Sequence, residues 1–334
     1  MTPRTRNLIL ISFTLIIIPI LCVGFWAESF ITTAVTPPGP QVIEIKTGSS
    51  FTRIAYQLAE ADVISDAARF TWLARWRGAT AQVRAGEYLF EDTAQPDEVL
   101  ARLVAGDIRQ YQVTIPEGFN LREIAARLAK TGVGSVDDFL ILCYDPGFIR
   151  ELGIEADSLE GYLFPETYTY TSSTTVRQLL RSMVDQLNEH LSPAIMASAD
   201  ELGLDRHELL TLASIIQKEA GNVMEMPLIS AVFHNRLKLG IALQADPTVI
   251  YGIADFDGNL TRKHLETPTP YNTYRKRGLP PGPIASPGQF ALQAAANPAD
   301  TKVLYFVARG DGTHEFTATL KEHNRAVRRY QLRR

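Results

Sequence analysis

The sequence predicts an α+β protein, with an N-terminal transmembrane helix, small α+β modules, and then a larger mixed α+β domain. Three observations carry this. An uncharged run of 19 residues, Leu8–Trp26, stands near the start. A strand–glycine–helix pattern occurs twice, at an offset of 70 residues. From Glu155 onward, helical apolar periodicity alternates with short aromatic or β-branched stretches. At 334 residues the chain is long enough for two or three domains with their own cores. A hydrophobic content of 46% and a charged content of 21% are ordinary for globular protein.

Leu8–Trp26 is long enough to cross a bilayer, and Pro19 and Gly24 are tolerated in such a helix. Arg4 and Arg6 precede it, and no basic residue follows until Lys46. The positive-inside rule then places residues 1–7 in the cytoplasm and the rest of the chain outside. A cleaved signal peptide is the alternative, but the run is longer than a usual signal core and no A-x-A site follows it. Residues 27–41, with Pro37, Pro38, Gly39 and Pro40, read as a semi-rigid linker. Cys22 and Cys143 are too differently placed to pair, so stability must come from the core.

The repeat begins at Ile43 with IEIKTGSSFTRIAYQLAEADVI and returns at Val113 with VTIPEGFNLREIAARLAKTGV. Gly48 matches Gly118, Ile54 Ile124, Ala55 Ala125, Leu58 Leu128 and Val63 Val133. Each copy reads as strand, glycine turn and amphipathic helix. Between them lie a strand at Glu87–Phe90 and a helix at Pro96–Ala105. The pattern resembles a LysM-like glycan-binding module, with a structural spacer as the alternative, and residues 42–154 are assigned to these modules.

Residues 155–334 form the second domain. Val176–Leu191 spaces Leu179, Leu180, Met183, Leu187 and Leu191 for one helical face. Ser192-Pro193 opens a short further helix, and Pro227 to Gly240 is another. Asp246-Pro247 reads as an N-cap and first-position pair. Thr267–Pro287 carries six prolines and is an irregular loop of fixed shape. A helix to Ala296 follows, then strands Val303–Ala308 and His314–Thr317 around Gly310-Asp311-Gly312, and a last helix to Tyr330.

The segment ELLTLASIIQKEAG, from Glu208, holds the chemistry. Asp205 and Glu208 make a capping-box pattern, and Gly221 is a stop. Leu212, Ile215, Ile216 and Glu219 share one face. A carboxyl on an apolar stripe, in the last turn of a helix, is pushed toward its neutral form by burial and by the negative end of the helix dipole. A carboxyl neutral near pH 7 can act as a general acid. The bland alternative is a solvated helix-end glutamate paired with Lys218 or a distant arginine.

Other chemistries are excluded by pattern. The histidines at 190, 207, 234, 264, 314 and 323 make no metal-binding pair, so no metal is expected. No GxSxG, GxxxxGK[ST] or GxGxxG is present. With a net charge of −4 and only short basic clusters, nucleic acid is not expected as a partner. After Glu219 come groups suited to sugar hydroxyls and N-acetyl groups: Asn235, Gln244, Asp246, Thr248, Tyr251, Tyr271, Asn272, Thr273 and Tyr274. Taken singly, each could equally be structural, Asp246 as a cap and Tyr251 as core.

LASIIQKEAG, AVFHNRL, LQADPTVIYG, LETPTPYNTYRKRGLPPGPIASPG, LYFVARGDGTHEF, EHN and EGYLFPETY together resemble the YceG-like family of endolytic murein transglycosylases. The resemblance runs from the apolar N-terminal run to about Tyr330. It implies a single-pass inner-membrane enzyme with a periplasmic LysM-like part and a catalytic domain. It also implies peptidoglycan glycan strands as substrate, the cell-wall synthesis machinery as surroundings, and no cofactor. The family's catalytic residue is the second glutamate of an E-K-E tripeptide, which is Glu219 here. The first position is Gln217, which cannot transfer a proton as an acid. A lytic transglycosylase needs one carboxyl, whereas a hydrolytic muramidase usually needs two, and Asp246 and Glu225 are the candidates for a second. A non-catalytic glycan-binding scaffold is the third reading.

Overall fold

The computed structural model describes residues 14, 17–18, 21–22 and 24–332. Residues 1–7 and most of the predicted span Leu8–Trp26 therefore lie outside the described residues. Among the described residues no helix is long and apolar enough to cross a membrane. The architecture is α+β, with many helices and three two-stranded sheets among the described residues. The chain divides into two compact units, Met1–Tyr111 with Tyr170–Ser173, and Gln112–Thr169 with Thr174–Arg334.

In the N-terminal unit, β1 (Gln41–Ile45) pairs antiparallel with β2 (Gly86–Phe90), Gln41 opposite Phe90 and Ile45 opposite Gly86. Alternation turns Ile43, Ile45, Tyr88 and Phe90 inward. Helices α1 (Phe51–Glu60), α2 (Ala67–Trp76) and α3 (Pro96–Ala105) close this core with Ile54, Leu58, Phe70, Leu73 and Leu103. Residues 24–32 are also helical, and Phe30 from this stretch joins the same core.

The repeat is real in three dimensions. Its second copy is β3 (Tyr111–Thr114), α4 (Leu121–Leu128) and α5 (Val136–Cys143). Gly48 and Gly118 both take left-handed backbone, at φ 81° and 75°, where a β-carbon would be strained. Ser50 and Asn120 cap the two helices by accepting from Arg53 N–H and Glu123 N–H. Ile54/Ile124, Ala55/Ala125 and Leu58/Leu128 are buried in both copies.

The copies differ in what completes them. β1 pairs with β2, which lies between the two copies, whereas β3 pairs with β4 (Thr167–Tyr170), beyond the second copy. Ile115 N–H donates to Glu166 O at 2.9 Å, and the hydroxyls of Thr114 and Thr167 lie 2.9 Å apart. Gly118 N–H donates to Ser286 O and Ser286 N–H to Phe119 O, each at 2.8 Å. The second copy, expected among modules spanning 42–154, thus belongs to the unit that contains residues 174–334. A chain beginning at Gln112 is expected to fold cooperatively. One beginning at Asp145 loses the buried Leu121, Ile124 and Leu128 and is expected to lack a cooperative melt by circular dichroism. Equal melts would show the boundary to be misplaced.

The second unit continues with α6 (Pro146–Glu151), α7 (Val176–His190), α8 (Pro193–Glu201), α9 (Arg206–Glu219) and α10 (Met226–Lys238). Then come α11 (Asp246–Tyr251), α12 (Arg262–Glu266), α13 (Gln289–Ala296), the hairpin β5 (Tyr305–Ala308)–β6 (His314–Thr317) and α14 (Leu320–Tyr330). Residues 267–288 hold no helix or strand, as the prolines predict. α9 is the central element, packed on α8, α10, α11 and α13. Its Leu209–Ile216 stretch is buried on every side rather than along one stripe. Thr211 and Ser214 are tolerated there because their hydroxyls donate to His207 O and Thr211 O, both at 2.7 Å.

Candidate active site

The capping box that starts α9 forms as the sequence predicts: Asp205 accepts from Glu208 N–H and Glu208 from Asp205 N–H. The helix then runs through the core and ends at Glu219, with Ala220 as its C-cap. Gly221 follows, and a β-carbon there would stand 3.1 Å from Gly312 O in the hairpin turn. The helix end and the β5–β6 hairpin therefore meet closely. His314 reinforces that contact, its N–H donating to Glu225 at 3.0 Å and its Nδ1 lying 2.8 Å from the other oxygen of the same carboxyl.

Glu219 is half-buried, and desolvation dominates the surroundings of its carboxyl. It has no hydrogen-bond or ion-pair partner among the described residues. Burial above all, and then the nearby charge of Asp246, push its pKa up to about 8 against the lowering effect of Arg236. The free acid is the form present through neutral pH, and none of the described residues accepts its proton in a hydrogen bond.

Arg236 is almost fully buried on α10. Its Nε donates to Leu304 O at 2.7 Å and its Nη1 to Leu243 O at 2.8 Å, Ala242 O at 3.2 Å and Gln244 Oε1 at 3.3 Å. The guanidinium thus ties α10 both to the strand that opens the hairpin and to the loop before α11. Gln244 sits in that loop with a left-handed φ of 54°. Its N–H donates to Thr273 O at 3.1 Å. The Thr273 hydroxyl accepts from Ala245 N–H at 3.0 Å and lies 2.8 Å from that of Thr248.

Asp246 follows directly. The sequence predicts it as a helix cap, but the N-cap position is Ala245 and the Asp246 side chain caps nothing. Its Oδ1 instead accepts from Tyr274 OH at 2.6 Å, and it is exposed. Burial raises the Tyr274 pKa, and the bond to Asp246 adds to this, so the phenol remains a donor. Glu219, Arg236, Asp246, Tyr274 and Gln244 thus form one cluster, and the carboxyl of Glu219 is its unengaged acid.

Residues 43–329 match the model of the YceG-like family. The chain belongs to that family. It is 35% identical over 304 residues to the endolytic murein transglycosylase of Bacillus subtilis, covering 86% of this chain and 84% of that protein. It is 27% identical to the endolytic murein transglycosylase of Streptococcus pneumoniae serotype 2, spanning 95% of this chain and 64% of that protein. Among solved structures, a YceG-like protein from Listeria monocytogenes superposes with a TM-score of 0.60 at 32% identity, over 86% of this chain and 98% of that one.

Within this YceG-like frame, several residues expected at the substrate are employed by the protein itself. Asn235 donates to Thr301 O and Val303 O, each at 2.9 Å, and lines a cavity beside Asp205, His207 and Glu208 that Glu219 does not line. Asn272 is fully buried and donates to His264 O, Leu265 O and Thr267 O. Thr273 is buried as well. These three shape the proline-stiffened loop from within. Tyr251 and Tyr271, with ring centroids 4.7 Å apart, gather around another carboxyl, Glu160. Tyr251 OH donates to Glu160 at 3.0 Å, and Leu121 N–H donates to it at 3.1 Å. Burial, only partly offset by those donors, pushes the Glu160 pKa up to about 7. Glu160 thereby joins α4 to the far end of the helix that begins with Asp246.

Sequence reasoning missed Arg236 and Glu160. Arg236 was findable: with Ile229, Val232 and Phe233 it lies on the buried face of α10, a charge on an apolar stripe like Glu219. Glu160 had no such signal, because its partners come from distant segments.

Gln217 has a structural role. Its Oε1 accepts from Gly288 N–H at 3.0 Å, the N-cap residue of α13, while Lys218 Nζ donates to Gly118 O at 3.1 Å. An acceptor is all this position needs, which a glutamine supplies as well as a glutamate. Gln217→Glu is expected to keep activity and stability near wild type. Gln217→Leu is expected to lose about 1–2 kcal/mol in urea unfolding. Similar losses in both would show that the acceptor is not what matters.

Proposed function

We propose that this chain is an endolytic murein transglycosylase whose general acid/base is Glu219. The observation that carries the reading is one carboxyl, neutral near pH 7 and free of protein partners, at the end of the central helix. Its proton goes to the glycosidic oxygen between N-acetylmuramic acid and N-acetylglucosamine as the C1–O bond breaks. The muramic C6 hydroxyl attacks C1, and the Glu219 carboxylate takes that hydroxyl's proton. The product carries a 1,6-anhydro end, no water is consumed, and intramolecular attack supplies a large effective molarity. Asp246, an exposed carboxylate whose charge is felt at Glu219, faces the positive charge that develops at C1.

That same carboxylate favours the second reading, a hydrolytic muramidase in which Asp246 activates water. Product mass separates the two. Soluble fragments from purified peptidoglycan should lack one water relative to hydrolysis products, and full-mass reducing ends would replace the first reading by the second.

Leu8–Trp26 spans the inner membrane once, residues 1–7 are cytoplasmic, and the catalytic part acts on nascent strands in the periplasm beside the cell-wall synthesis machinery. The repeat in the N-terminal unit is LysM-like and holds glycan rather than cleaving it. Protease outside spheroplasts should digest the chain beyond the span, and protection there would refute this topology.

A further inference from the structure

Helix α2 presents an outer face that breaks the usual polar pattern. Its inward residues are Ala67, Phe70, Thr71, Leu73 and Ala74. Arg69, Trp72 and Trp76, at helical spacings of three and four, line the opposite stripe, where solvent-facing polar residues are expected. Trp72 is 37% exposed and Trp76 62%. Trp26, from the helical stretch over residues 24–32, adds to the stripe edge-on, with its ring centroid 6.0 Å from that of Trp72. Trp72 and Trp76 stack at 5.8 Å. These are all three tryptophans of the chain. The Arg69 guanidinium lies 4.8 Å over the Trp26 ring, and that of Arg77 4.8 Å over Trp76. Arg77 also pairs with Asp97, whereas Arg69 has no ion pair among the described residues.

We propose that this tryptophan–arginine face docks the N-terminal unit on the headgroup layer of a phospholipid membrane. The inference rests on the single-span reading above and extends it. Trp26 is the last residue of the proposed span, two residues before the first charge at Glu28, so in that reading it stands at the outer membrane boundary. Four residues later, on the same side of the helical stretch, Phe30 is locked into the core of the unit. The chain leaving the bilayer is therefore fastened to the unit, with Trp72 and Trp76 beside the exit point. Indole rings favour the membrane interface, with an apolar body and a polar N–H. Guanidinium groups bind lipid phosphates through paired hydrogen bonds. A sugar-binding platform would need an open ring face. Here Trp72 and Trp76 cover each other, and arginines lie over Trp26 and Trp76.

Because every tryptophan lies in the face, intrinsic fluorescence reads it directly. The full chain with Trp26→Phe and Trp72→Phe, reconstituted in phosphatidylcholine–phosphatidylglycerol vesicles, leaves Trp76 as sole reporter. Its emission should shift to the blue and be quenched by lipids brominated near the headgroup, and Arg69→Glu should weaken that quenching. In the otherwise intact chain, Trp76→Phe should remove part of the quenched emission, which serves as the readout if the double variant misfolds. Alkaline carbonate extraction tests the span separately. Resistance to extraction with unquenched Trp76 leaves the span standing and overturns the docking. Extraction with quenched Trp76 overturns the span and retains the docking as a peripheral contact. Failure of both measurements overturns both. A Trp76 response to soluble glycan fragments and not to lipid would make the face a sugar platform and overturn the proposal.

Discussion

Glu219→Gln is expected to fold normally, to keep its affinity for glycan strands, and to lose cleavage by about 10²–10⁴-fold. Glutamine preserves the shape and a hydrogen-bond donor but has no proton to transfer. The wild-type pH profile should agree. With the Glu219 pKa pushed up to about 8, the acid form persists through neutral pH, and kcat/KM should fall as pH rises past that value. The two neighbouring charges make opposite tests. Asp246 raises the Glu219 pKa, so Asp246→Asn should move the alkaline limb to lower pH. Arg236 lowers it, so neutralising Arg236 should move the limb to higher pH. Stability should follow with a determined sign. A carboxyl whose pKa is raised on folding binds its proton more tightly in the native state, so it destabilises the fold as pH rises from the unfolded value toward about 8. Glu219→Gln removes that titration and should melt at or above the wild-type temperature at pH 8. A Glu219→Gln enzyme cleaving near the wild-type rate, with Asp246→Asn dead, would transfer the catalytic role to Asp246.

Replacing Arg236 by methionine should destabilise the fold by about 2–5 kcal/mol, read by urea unfolding. Methionine fills much of the volume but leaves the carbonyls of Leu304, Ala242 and Leu243 without their donor in a buried site. Activity should fall too, even at temperatures where the variant is folded. The guanidinium braces the Gln244 loop, and that loop sets where Asp246 begins its helix. Arg236→Lys keeps the charge but cannot make the same fork, so its loss should be intermediate. A methionine variant as stable as wild type would show that the buried carbonyls find other donors.

Most of the fold was legible because its signals are local. The box at Asp205 and Glu208, the glycine turns at Gly48 and Gly118, the prolines of 267–288 and the periodicity of α7 each act within one turn of chain. The repeat was legible because Ile54/Ile124 and Leu58/Leu128 do the same packing twice. Glu219 was singled out by one rule, that a carboxyl on an apolar helix face near a C-terminus is driven neutral, and its assignment as the catalytic acid came from the family resemblance. The same rule applied to α10 would have found Arg236.

What the sequence by itself determined, then, is the order and type of the elements, the acid at the end of the central helix, and the family resemblance carried by its motifs. Only the tertiary structure decided which residues surround that acid and where the units divide. Asn235, Asn272 and Thr273 look like sugar-binding groups in one dimension, but the amide N–H groups of the two asparagines donate to backbone carbonyls, and the Thr273 hydroxyl is engaged by Ala245 N–H and Thr248. Asp246 looks like a cap and is instead an exposed partner of Tyr274. The second repeat copy reads as a module of its own, yet β4 and Ser286 complete it from far downstream. Apart from Asn272, whose amide reaches back only to residues 264–267, these depend on hydrogen bonds between segments distant in the chain, and a buried donor or acceptor takes whichever partner the fold delivers.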